Sequence, residues 1–179
     1  MCRAYADPKG TAVDCTCGRG KDTLWLARHC GRVYSFDIQE EALKSTEELL
    51  DANEIDCRER SGSQKVILIK DSHENIKKYV KDRPCLILFN LGYLPGGDKQ
   101  ITTVAETTIR ALKDALDLLA QDGLISIIMY PGHCAGALER EAVIKWSRTL
   151  DPGRYHCVYA DMINQKKEAP QILWITKKA

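Results

Sequence analysis

Residues 11 to 22, TAVDCTCGRGKD, constrain this chain more than any other stretch. Residues 11 to 15 read as a short apolar strand and Gly18-Arg19-Gly20 as a glycine-rich turn. A helix is predicted from about residue 22 to 30, with Gly31 as its stop. A strand that runs into such a turn and then a helix holds small polar ligands. Glycine lets the backbone come close, and the helix start offers unpaired N–H groups.

The nearby charges choose among ligands. Asp14 lies on the strand and Asp22 just past the second glycine. A dinucleotide fingerprint needs glycine at its first, third and sixth positions, but the sixth position from Gly18 is Thr23. A pyrophosphate would also sit beside two carboxylates. A P-loop needs Gly-Lys-Ser/Thr after a four-residue gap; Lys21 follows Gly20, but Asp22 replaces the hydroxyl residue and the upstream glycine is missing. S-adenosylmethionine, with an ammonium, a carboxylate, a sulfonium and no phosphate, suits the turn better. Asp14 or Asp22 would take the ammonium, and backbone N–H groups at the Gly18–Gly20 turn the carboxylate. The plain alternative is a tight structural turn.

Later strands repeat the pattern of a polar group at the strand end. The second strand, residues 33 to 38, carries Asp37, 19 residues after Gly18, and then Gln39. An acidic residue there can accept both ribose hydroxyls of an adenosine, as in NAD and S-adenosylmethionine sites alike, or it can cap the next helix, 40 to 54. The third strand, 65 to 69, opens into Asp71, Ser72 and His73. Asp71 or Ser72 would bind the adenine amino group and His73 would pack on the ring; the alternative is capping of helix 72 to 80. The fourth strand, 85 to 89, runs into Asn90-Leu-Gly-Tyr-Leu-Pro-Gly-Gly-Asp98. This resembles the Asn/Asp-Pro-Pro-Tyr loop of amino-group methyltransferases. There the Asn carbonyl and a backbone carbonyl accept hydrogen bonds from an attacking amine, and Tyr93 would stack on a planar substrate. The fifth strand, 124 to 129, ends in Tyr130-Pro-Gly-His133. His133 titrates near neutrality and is a candidate to deprotonate an amine; substrate hydrogen bonding or a role in loop structure is the equal alternative.

Helices are predicted at 102 to 120, with Ile109, Leu112, Leu116 and Leu119 inward, and at 136 to 150, with Leu138, Val143, Trp146 and Leu150 inward. Strands 155 to 163 and 172 to 177 flank a polar loop that contains Asn164, Lys166 and Lys167. Five alternations of strand and helix followed by two strands predict an α/β fold. Its seven-stranded sheet is mostly parallel, carries helices on both faces and closes in a C-terminal antiparallel hairpin. Ligands in such sheets bind at the carboxyl ends of the strands. The 179 residues suit one domain, 1 to 179. A net charge of +1 makes no case for or against nucleic acid. The eight cysteines lack a C-x-x-C pair, so no metal site is expected, and a reducing, cytoplasmic setting is. No run of 18 apolar residues suggests a membrane span.

VDCTCGRGKDT, YSFDIQ, KDSHENI, FNLGYLPGGDKQITT and YPGH are similar to the YtqB-like (MnmM) family, earlier labelled rRNA methylases. The resemblance runs from about residue 11 to the end. It implies a Rossmann-like, class I S-adenosylmethionine-dependent methyltransferase. The implied reaction converts 5-aminomethyl-2-thiouridine to its methylaminomethyl form at the tRNA wobble position. The implied partner is the tRNA anticodon region, and a homodimer is compatible with it. Two departures stand out: MCRAYADPKG does not look like the helix that family members usually carry before the first strand, and Cys15 and Cys17 replace small residues. Residue patterns alone leave other classes open: an rRNA, protein or small-molecule amine methyltransferase, a non-catalytic binding module for S-adenosylmethionine, or an NAD enzyme.

Overall fold

The computed structural model describes residues 1–57, 65–98, 100–165 and 168–178. The polar segment 58–64 and the loop lysines 166 and 167 lie outside the described residues. Seven strands form one sheet: β1 (Thr11–Asp14), β2 (Arg32–Asp37), β3 (Val66–Lys70), β4 (Leu86–Asn90), β5 (Leu124–Met129), β6 (Tyr155–Ala160) and β7 (Gln171–Lys177). Their order is β3-β2-β1-β4-β5-β7-β6. The first five are parallel, and β7 pairs antiparallel with both β5 and β6. The helices are α1 (Lys21–His29), α2 (Glu40–Asp51), α3 (Ile76–Tyr79), α4 (Ala105–Leu118) and α5 (Cys134–Ser147). The expected α/β architecture and its closing hairpin are both present.

Apolar runs build the sheet because parallel strands covered on both faces must be hydrophobic throughout. Val13, Phe36, Ile87, Phe89, Ile125 and Ile127 are fully buried and join Ala111, Leu112 and Ala115 of α4 in one core. A second cluster packs Leu26 and Ala27 of α1 against Ala12, Val33 and Leu86. Four expectations shift. Helix α1 buries Thr23, Leu26 and Ala27, whereas Arg28 is exposed and Leu24 only half-buried. The helix expected over 72 to 80 is a 3-10 turn, His73–Asn75, followed by the single turn α3. Strand β6 stops at Ala160, and most of its residues are exposed at the sheet edge. Leu138 is 62% exposed, and Glu139 takes the inward position on α5 instead.

Gly20 shows how the β1–α1 turn is set. It has φ +78°, and a Cβ there would stand 2.9 Å from Cα and Oγ1 of Thr46 on α2. Both the left-handed backbone and the close helix exclude a side chain. We expect Gly20→Ala to lower unfolding free energy by about 2–3 kcal/mol in urea titration. An unchanged midpoint and slope would show that the turn is not so constrained.

Candidate active site

The carboxyl ends of the first five strands open into one cleft of about 760 Å³. That lies within the range of about 300–1,000 Å³ typical of small-molecule and cofactor sites. Gly18, Asp22, Asp37, Gln39, Asp71, Ser72, His73, Asn90, Tyr93 and His133 all line it, so ten of the twelve residues expected from the sequence converge. The cleft straddles β1 and β4, where the winding of the sheet reverses.

Asp14 and Gly20 are not among the lining residues. Gly20 faces α2, as above. Asp14 is 1% exposed and sits beneath the turn; one oxygen accepts from Thr23 Oγ1 at 2.6 Å and the other from the Thr16 amide at 3.2 Å. Thr23 Oγ1 also lies 2.7 Å from Ser35 Oγ, tying α1 to β2. Asp14 therefore fastens strand, turn and helix together from below, which differs from the expected direct salt bridge to a ligand. Burial, only partly offset by the Thr23 bond and reinforced by Asp22, raises its pKa to about 7.

On the β2 side, Asp37 Oδ2 accepts from the Gly18 amide at 3.1 Å, and Oδ1 accepts from the Gln39 amide at 3.0 Å. Gln39, not Asp37, occupies the N-cap of α2. Beyond β3, Asp71 is held by its own segment, accepting from Ser72 N, Asn75 Nδ2 and Tyr79 OH, each at 2.8 Å. The Tyr79 bond, then the Asn75 bond, holds its carboxyl below the usual carboxylate range. Ser72 caps the following turn through Glu74 N. The capping alternative thus describes Ser72, whereas Asp71 is held within its own segment; both also border the cleft. His73 is buried edge-on to Phe89, with Nδ1 3.2 Å from Cys15 O. Burial pushes its pKa down, which favours the neutral ring.

The other bank is built by the β4–α4 loop. The Asn90 amide donates to Thr16 Oγ1 at 2.7 Å, extending the β1–β4 pairing one step past the strands. Asn90 Nδ2 reaches Asp22 Oδ2 at 3.4 Å, so its carbonyl Oδ1 is the free acceptor. Tyr130, which the sequence reading did not single out, lines the cleft and bonds to Asn90. Its pKa is raised by burial and by Asp22. The signal for it was its place directly after β5. Tyr93 and His133 have ring centroids 5.5 Å apart.

His133 departs from the expected proton acceptor. It is the N-cap of α5, and its Nδ1 accepts from the Gly136 amide at 3.1 Å. That spends the basic lone pair and leaves the proton on Nε2, which is buried with no protein partner. Thr102 Oγ1 is likewise buried without one. These are the two such side-chain atoms among the described residues, and both belong to residues that line the cleft.

Arg19, at the tip of the glycine turn, spans the two banks. Its guanidinium donates to Pro95 O at 3.2 and 3.4 Å and pairs with Glu41 at 2.9 Å. Leu94 beside Pro95 is buried against Cys17, Ala42 and Leu43.

The raised Asp14 pKa has a definite consequence for stability. Between about pH 4 and pH 7 the folded protein holds a proton that the unfolded chain has released, so stability falls as pH rises through that window. Relative to Asp14→Asn, the wild type is expected to lose on the order of 3 kcal/mol from pH 4 to pH 7 in urea titrations. Parallel pH profiles for the two proteins would contradict a buried, proton-holding Asp14.

Comparison with known proteins places this geometry. The family model described as "Putative rRNA methylase" matches residues 33–176. A curated relative from Arabidopsis thaliana, the chloroplastic tRNA (mnm(5)s(2)U34)-methyltransferase, is 36% identical over 182 residues. That alignment covers 94% of this chain but 63% of the plant protein, so the chain spans under two thirds of that relative's length. A crystal structure of a "putative rRNA-methylase" from Clostridium thermocellum is 38% identical with TM-score 0.90, covering 98% of this chain and 92% of that one. A "putative methyltransferase" from Streptococcus mutans, in complex with SAH, is 31% identical with TM-score 0.86 and covers 98% and 95%. The sheet order and the overall fold are therefore those of a class I methyltransferase, and the chain belongs to the rRNA methylase family.

Proposed function

We propose that this chain is an S-adenosylmethionine-dependent N-methyltransferase that methylates the aminomethyl group of 5-aminomethyl-2-thiouridine at the tRNA wobble position. The observation that carries this reading is the pairing of Asn90 with Asp22 across the cleft, which fixes a carbonyl acceptor beside the glycine turn. The name of the plant relative supports the substrate, and the SAH bound by the Streptococcus relative supports the cofactor.

S-adenosylmethionine supplies an electrophilic methyl group on its sulfonium. Asp37 and Gln39 border the part of the cleft that suits ribose, while Asp71, Ser72 and His73 border the part that suits adenine. Asp22, not the buried Asp14, is the carboxylate available to an ammonium. Asn90 Oδ1 accepts a hydrogen bond from the substrate amine and directs its lone pair, and orientation of this kind contributes much of the rate. Tyr93 stacks on the pyrimidine, and Tyr130 closes the other side of Asn90. With its Nδ1 committed to Gly136, His133 holds the loop while water takes the proton.

No helix among the described residues is long and apolar enough to cross a membrane, and all eight cysteines are free. A reducing compartment such as the cytoplasm accords with the free thiols.

Asn90→Ala should lower kcat by about 100-fold while affinity for S-adenosylmethionine stays within about twofold. Labelled methyl transfer to tRNA that carries the 5-aminomethyl group, followed by nucleoside mass spectrometry, reads the first; calorimetry reads the second. Unchanged turnover in the variant would remove the assigned role of Asn90. Wild-type protein that methylates only rRNA, protein or free amines would replace the proposed substrate.

A further inference from the structure

Behind the cleft lies a row of polar groups that methyl transfer does not itself require. Glu139 of α5 is 2% exposed and, among the described residues, makes no salt bridge with a lysine or arginine. Its Oε2 lies 2.6 Å from Thr103 Oγ1 and its Oε1 lies 2.6 Å from Thr108 Oγ1. Thr103 holds Gly92 of the acceptor loop from both sides: the Gly92 amide donates to Thr103 Oγ1 at 2.8 Å, and the Thr103 amide donates to Gly92 O at 3.0 Å. Gly92 has φ +132°, a conformation open to glycine, so this clasp fixes an unusual backbone next to Asn90 and Tyr93. Thr108 Oγ1 lies 3.5 Å from His73 Nε2 in turn.

Counting donors decides the protons. Cys15 O can only accept, so His73 Nδ1 carries the hydrogen and Nε2 is an acceptor. Thr103 Oγ1 accepts from Gly92 and gives its own hydrogen to Glu139. Thr108 has one hydrogen and faces two acceptors if Glu139 is ionised, namely Glu139 Oε1 and His73 Nε2. Every group is satisfied when Glu139 is a neutral acid: Oε1–H donates to Thr108, and Thr108 donates to His73.

We propose that Glu139, carrying its proton, is a positioning residue that completes a one-directional hydrogen-bond chain, Gly92 to Thr103 to Glu139 to Thr108 to His73 to Cys15. The chain fixes the acceptor loop relative to the cofactor strand β1. Burial raises the Glu139 pKa and lowers that of His73, in keeping with two neutral groups. The titratable groups that face Glu139 are His133, which favours its ionised form, and His73 through Thr108. Arg140, the next residue on α5, is engaged with Gln171 Oε1 at 2.8 Å. On α4, Glu106 and Arg110 pair with each other and Arg110 pairs with Glu74, all at the surface. Strand β5, LISIIM, carries no titratable side chain.

The kinetic arm of the test rests on the methyltransferase reading; the spectroscopic arm does not. In ¹H–¹⁵N long-range correlation spectra of the wild-type protein at pH 7, His73 should be the Nδ1–H tautomer. An Nε2–H tautomer or an imidazolium overturns the chain, whatever the substrate proves to be. In methyl transfer, Glu139→Gln mimics the neutral acid, since its amide donates to Thr108 and its carbonyl accepts from Thr103. It should retain kcat/KM within about twofold at pH 7, whereas Glu139→Ala loses about tenfold. A Gln variant as impaired as the Ala variant overturns the proposal. No transfer to the modified tRNA by wild type, with the Nδ1–H tautomer present, refutes the substrate reading alone.

Discussion

The pairing of β1 with β4 is the constraint on which the site depends. Parallel strands must be joined by crossovers, and here the crossovers lead outward in opposite directions from this pair. The two loops that leave it therefore diverge and open a crevice. The ladder extends beyond the strands, through Cys15 N to Leu88 O at 2.8 Å and Asn90 N to Thr16 Oγ1 at 2.7 Å. A turn suited to a cofactor and a side chain suited to an acceptor are thus tied together by a backbone bond and the Thr16 hydroxyl.

Buried polar groups then fix the crevice walls. Beneath the glycine turn, Asp14, Thr23 and Ser35 join β1, α1 and β2. Behind the acceptor loop, Thr103, Glu139 and Thr108 join α4 and α5. Each cluster carries a carboxyl group whose pKa is raised by burial, and each is short of positive charge. Such groups stabilise a particular geometry only when every donor has an acceptor, so they favour uniqueness of arrangement over raw stability.

Much of this was legible in the sequence, for physical reasons. Continuous apolar runs such as CLILF and LISIIM announce buried parallel strands, and Gly18–Gly20 announces a turn that needs unusual backbone. Strand ends gather at one edge by topology, so Asp37, Asn90 and Tyr130 had to be neighbours once the alternation was recognised. What failed was direction. Asp14 alternates away from the ligand side and His133 turns back to cap its helix, and neither fact is visible in composition. Glu139 was hidden because Leu138 appeared to continue an apolar stripe; the helix rotates so that two threonine hydroxyls from α4 meet a carboxyl group instead. Inward-facing polar positions depend on partners distant in sequence, which periodicity does not record.

Arg19 bears on how quickly the crevice can fill and empty. Its side chain is 36% exposed and that of Glu41 is 62% exposed, so solvent competes for both partners. An ion pair in that setting is worth about 0–1 kcal/mol. The Glu41 pair therefore adds little to the closure, and what ties Arg19 to the opposite bank is its hydrogen bonding to Pro95 O. The rigid part of the enclosure lies below and behind, while its roof is merely latched.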